Sequence, residues 1–135
     1  MRLAGIVAGA TFVLDQVTKL AVVQGLNLIE RGVIEVLPPL LVFRMAWNRG
    51  VNFGLFAHDA EVMRWVLVAV ALAISAWVWV WIRREGGTPA QQWAAGLLIG
   101  GALGNVIDRI VYGAVADFLN MSCCGIENPY AFNVA

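Results

Sequence analysis

The sequence predicts a mainly α-helical, polytopic membrane protein with three transmembrane helices and a small β-like platform outside the bilayer. Three observations lead there. Hydrophobic residues make up 61% of the 135 and charged ones only 13%, far from the balance of a soluble domain. Three apolar stretches are each long enough to cross roughly 30 Å of hydrocarbon as a helix. Between the first and second lies a charged, proline-containing segment with β-branched and aromatic residues, the composition of short strands. Nine basic residues balance nine acidic ones, and no basic tract offers a phosphate-neutralising surface. Nucleic acid is excluded as a partner.

The first span is predicted over residues 3–23. Arg2 precedes it as in a signal peptide, but no small-residue cleavage site ends it, so a retained helix is expected. Asp15 and Lys19, four residues apart, share a helix face and can pair. The platform, residues 25–61, contains Pro38, Pro39 and the run from Leu40 to Trp47, which is expected to form a short strand or hairpin at the membrane surface. The second span, residues 65–82, is apolar apart from Ser75. It is stopped by Arg83 and Arg84, with Trp77, Trp79 and Trp81 at that end as interfacial anchors. The third span, residues 93–112, follows a short polar connector and is expected to end at Gly113. Gly96, Gly100 and Gly104 recur every four residues on it, as Gly5 and Gly9 do on the first span. Small residues at that spacing predict close packing of these two helices. The distribution of arginines leaves the orientation in the membrane open.

Ionisable groups at bilayer depth are costly and mark function by default. On the third span Asn105, Asp108 and Tyr112 form one stripe, with Arg109 beside it. With Asp15 and Lys19 they are expected to make a polar layer at one end of the bundle. Ser75 has no base in reach, which disfavours a serine nucleophile. Cys123 and Cys124 are adjacent, a poor fit to ordinary disulfide geometry. Together with His58 they lack the paired spacing of a zinc site, so no metal is expected, and no cofactor.

These residues fall into an ordered set of motifs: Asp15-Gln16-Val17-Thr18-Lys19; Asn48-Arg49-Gly50 leading to Asn52-Phe53-Gly54; Gly100-Gly101-Ala102 with Gly104-Asn105 and Asp108-Arg109; Gly113-x-Val115-x-Asp117-Phe118; and Phe132-Asn133-x-Ala135. In that order the chain resembles the bacterial lipoprotein signal peptidases, also called signal peptidase II, nearly end to end. The second box departs from the pattern at Val51 and Asn52, where small residues are usual.

The resemblance implies an aspartic endopeptidase of the bacterial inner (cytoplasmic) membrane, monomeric, with its active site at the outer, periplasmic face. Its partners would be membrane lipid and a prolipoprotein, whose signal peptide it removes before a cysteine carrying diacylglycerol. The resemblance also implies a β-like platform on the outer face that clamps an extended peptide, for which Leu28 to Phe56 is the candidate. Asp117 matches one of the family's two catalytic aspartates. The second is expected immediately after Ala135, followed by a fourth transmembrane helix. Residues 1–135 would thus be a single, C-terminally incomplete peptidase domain, inactive alone. Asp15, Lys19, Asn48, Gly50, Asn105, Asp108, Arg109 and Asn133 are expected in the supporting polar network or in substrate binding. Two other readings are an inactive precursor-binding fragment and a small helical transporter or assembly subunit using Asp15, Asp108 and Arg109. A roughly forty-residue segment outside the membrane suits a peptidase better than a minimal transporter.

Overall fold

The structure, a computed structural model, describes residues 1–50 and 60–135. Val51, Asn52, Phe53, Gly54, Phe56 and His58, for which the sequence raised expectations, lie outside the described residues. In chain order the elements are α1 (Arg2–Lys19), a π-helical turn (Leu20–Gly25), α2 (Leu28–Arg31), β1 (Val33–Leu37), β2 (Leu41–Asn48), α3 (Ala60–Glu85), α4 (Pro89–Tyr112) and β3 (Val115–Asn120). Among the described residues three helices are long and apolar enough to cross a membrane: Arg2–Gly25, Glu61–Glu85 and Pro89–Tyr112.

Local chemistry sets the ends of α4. Thr88 caps its first turn in a reciprocal capping box with Gln91, and Pro89, which needs no donor there, occupies the first turn. Gly113 ends it in the left-handed conformation, φ 81°, which costs glycine little. In hydrocarbon the backbone must satisfy its own hydrogen bonds, so the β-branched residues of α3 do not interrupt its 26-residue helix. Trp77 and Trp81 of α3 are exposed, as interfacial anchors should be. Trp79 instead packs toward Gly5 of α1.

α4 packs against both α1 and α3. A Cβ on Gly96 would stand 2.6 Å from Val7 Cβ, and one on Gly100 would overlap the Ala8 carbonyl. These glycines therefore let the α1 backbone approach closely. The expectation that Gly5 and Gly9 supply the matching face needs correction. Gly5 faces α3 and Gly9 faces open space; the α1 residues beneath α4 are Ala4, Val7, Ala8 and Thr11. One methyl is small enough to serve the close approach, so the alanines do it.

The platform is a three-stranded antiparallel sheet in the order β1-β2-β3. Its third strand comes from beyond α4, outside the segment 25–61 that the sequence assigns to the platform. Phe118, Leu28, Val22, Val23 and Ala116 form the buried cluster that seats the sheet on the π-helical end of the first span. Phe43 meets Phe118 edge-on, with ring centroids 6.1 Å apart. Cys123 and Cys124 also differ from expectation, since their sulfurs are bonded to each other. Cys124 adopts φ 61°, a left-handed backbone that turns neighbouring side chains toward one another.

Candidate active site

The polar layer begins where α1 and α4 cross. Asp15 is fully buried, Lys19 nearly so, and Asp108 is 2% exposed. Lys19 Nζ donates to Asp15 Oδ2 at 2.8 Å and lies 2.9 Å from Asp108 Oδ2, with Asn105 Oδ1 at 3.2 Å. Three donors on one ammonium thus meet three acceptors. Gly104 makes room for this, because a Cβ there would overlap the Asp15 carboxylate. Gln16, whose role the sequence did not disclose, ties the layer to α4 by donating to the Gly104 carbonyl and to Asp15 Oδ2, both at 3.1 Å.

Asp108 is also a strut. Its Oδ2 accepts the backbone N–H of Ala116 at 2.9 Å, which fixes the start of β3 against α4. One residue further along β3 is Asp117, opposite Ala46 of β2. Between Phe43 and Ala46 the register slips by one residue, a bulge of the kind that re-aims side chains beside functional sites. On the other side of β3, Phe132 exchanges backbone hydrogen bonds with Leu119 and accepts from Phe118. That pairing delivers Asn133, whose Nδ2 donates to Asp117 Oδ1 at 2.7 Å, with Asn105 Oδ1 and the Ala116 carbonyl each at 3.3 Å. Asn133 Oδ1 in turn accepts from the Ala135 N–H at 2.8 Å. Ala135 rests against Gly101 of α4.

Asp117 is therefore neither a helix cap nor a carboxylate in bulk water. Partial burial pushes its pKa up. The Asn48 hydrogen bond and the charge of Lys19 oppose that rise, Asp108 adds to it and Arg109 opposes it. Asn48 stands at the end of β2, where its Oδ1 also accepts the Gly50 N–H at 2.9 Å, placing Gly50 at the rim. Of the expected residues, Asp15, Lys19, Asn105, Asp108 and Asn133 form one continuous hydrogen-bonded layer leading to Asp117. Arg109 borders it, its Nε without a partner among the described residues. Tyr112 leaves the stripe: its hydroxyl accepts from Gln24 at 2.9 Å, and its ring leans on Trp47, centroids 5.1 Å apart. A groove of about 360 Å³ between α3 and α4, lined by Leu67, Ile74 and Leu98, ends at Asn105 and Arg109.

Fold and site together define a multi-pass membrane protein with a half-buried carboxylate at the junction of helices and sheet. Comparison with known proteins is consistent with this. Residues 7–135 match the family model for signal peptidase (SPase) II. A lipoprotein signal peptidase of Methylobacterium sp. (strain 4-46) is 43% identical over 95% of this chain and 76% of its own length. That of Rhodopseudomonas palustris (strain ATCC BAA-98 / CGA009) is 41% identical over 98% of this chain and 80% of its own. A bacterial membrane enzyme solved by the in meso method at 1.9 Å resolution superposes with a TM-score of 0.77 at 26% identity, over 99% of this chain and 83% of that one. The chain belongs to the signal peptidase II family, which is a family of proteases.

Proposed function

We propose that this protein removes signal peptides from diacylglyceryl-modified prolipoproteins by aspartic catalysis, with Asp117 as one of its two catalytic carboxylates. The observation that carries the reading is the Asp117–Asn133 hydrogen bond. It joins the two motif boxes from which the family's carboxylates come. The position after Ala135 lies one residue from an N–H that Asn133 itself accepts, so a carboxylate there is expected to share the site with Asp117.

Two carboxylates at close range cannot both ionise easily and so hold one proton between them. The ionised member takes a proton from water, whose hydroxyl adds to the carbonyl before the lipidated cysteine. The protonated member then gives its proton to the departing amide nitrogen. The polar layer keeps β3 in place while this happens, and Asn48 and Gly50, at the end of β2, stand where an extended peptide would approach the carboxylate. The apolar groove that ends at Asn105 and Arg109 supports entry of membrane-embedded substrate. We assign the protein to the bacterial inner membrane, as a monomer, with the site at the outer face.

The test is Asp117→Asn in the full-length protein, assayed on a diacylglyceryl-modified precursor. Cleavage is expected to be lost with thermal unfolding unchanged; a variant that still cleaves would reduce Asp117 to a structural role.

A further inference from the structure

We propose that Arg64, at the start of α3, is a positioning residue of this site, acting through the last turn of α4. Its guanidinium spans two helices. Nε donates to the Arg109 carbonyl at 2.5 Å, and Nη2 donates to the Ile110 carbonyl. Nη1 donates to both carboxylate oxygens of Glu61, at 3.0 and 3.1 Å. The Trp65 ring lies under the cation, 4.9 Å from Cζ to centroid, and its Nε1 donates to Glu61 Oε1 at 2.9 Å. Arg64 is thus held from three sides, and its side chain is only 19% exposed.

The carbonyls it takes belong to the last turn of a helix, which has no intrahelical donors of its own for them. Gly113 N–H supplies one donor, to the Arg109 carbonyl at 3.0 Å. Arg64 supplies the others, and hydrogen bonds to a charged group are the stronger kind. Only three residues lie between Gly113 and Asp117. β3 is therefore fixed at two points, by Asp108 at Ala116 and by Arg64 at the helix end that feeds it. α3 packs along α4, and this fork is how α3 grips the turn that leads to the carboxylate. A displacement of about 1 Å at a reacting group can cost on the order of a hundredfold in rate. A planar fork is needed to hold two carbonyls, and a lysine ammonium cannot reproduce it.

The inference rests on the proposed peptidase activity, and the experiment separates the two. Arg64→Gln and Arg64→Lys are made in the full-length protein and assayed beside wild type and Asp117→Asn. An inactive wild type or an active Asp117→Asn would defeat the activity assignment itself. With those controls in order, both Arg64 variants are expected to lose roughly tenfold or more in kcat with KM changed less than about twofold. In the same full-length proteins the Arg64 variants should speed amide exchange from Gly113 to Asp117 and leave α1 protected. Full kcat in both variants would overturn the proposal. So would a change confined to KM, which would place Arg64 on the substrate, or a loss explained wholly by a smaller folded fraction.

Discussion

Lys19 is the only lysine in the chain, and the physics of its position is severe. It lies between two carboxylates that are both almost fully buried. Removing one member of a buried ion network costs about 3–5 kcal/mol, because an uncompensated charge is left behind. Lys19→Met is therefore expected to lower stability by about that amount, read by denaturant unfolding in detergent. Adding Asp15→Asn and Asp108→Asn to it should recover a large part of the loss. A Lys19→Met protein as stable as wild type would mean the layer is hydrated. Asp117 differs, since its proposed role depends on its protonation. Burial raises its pKa, and a carboxylate acting as the proposed base must be ionised to activate water, so activity is expected to be lost as pH falls through that raised value. The acidic limb of kcat/KM in the full-length enzyme is expected above the ordinary carboxylate value of about 4, as a property of the carboxylate pair. Arg109 pulls the Asp117 pKa down, so Arg109→Gln should move that limb to still higher pH. A limb unmoved or shifted downward would contradict the electrostatic role given to Arg109.

At the scale of elements, the α1–α4 contact decides whether the polar layer can close. A Cβ on Gly100 would overlap the Ala8 carbonyl and stand 2.7 Å from Thr11 Cβ, whereas one on Gly9 meets nothing within 4 Å. Gly100→Ala is expected to cost about 1–3 kcal/mol by overpacking, and Gly9→Ala to leave stability unchanged or raise it by up to about 1 kcal/mol. Equal effects in unfolding titrations would refute the packing. This contrast also marks how far the sequence could be read. The stripe of Gly96, Gly100 and Gly104 was legible because helical periodicity is local. The α1 glycines misled because Ala4 and Ala8 serve the contact equally well, and spacing alone does not say which face a helix presents. β3 was missed for a similar reason: its partner Ala46 lies 71 positions before Asp117, and a six-residue strand has little pattern of its own. The Arg64 fork left no trace in the sequence, since its acceptors are backbone carbonyls and any residue would supply them.

For the whole molecule, the remaining question is which way it faces, and arginine counting left that open. The structure fixes the relative geometry: three helices put the sheet and Asp117 at one end and the α3–α4 connector, Gly86–Thr88, at the other. Prolipoprotein processing, as proposed here, requires the sheet end to be outside. Single cysteines introduced at Glu127, in the platform, and at Glu85, beside the connector, test this in a background where Cys123 and Cys124 are serine; both positions are exposed. In intact spheroplasts a membrane-impermeant maleimide should label Glu127→Cys at once and Glu85→Cys only after permeabilisation. The reverse pattern would put the carboxylate on the inner face, away from its proposed substrate. Labelling of both from one side would contradict three crossings altogether, because an odd number of spans must separate the two ends.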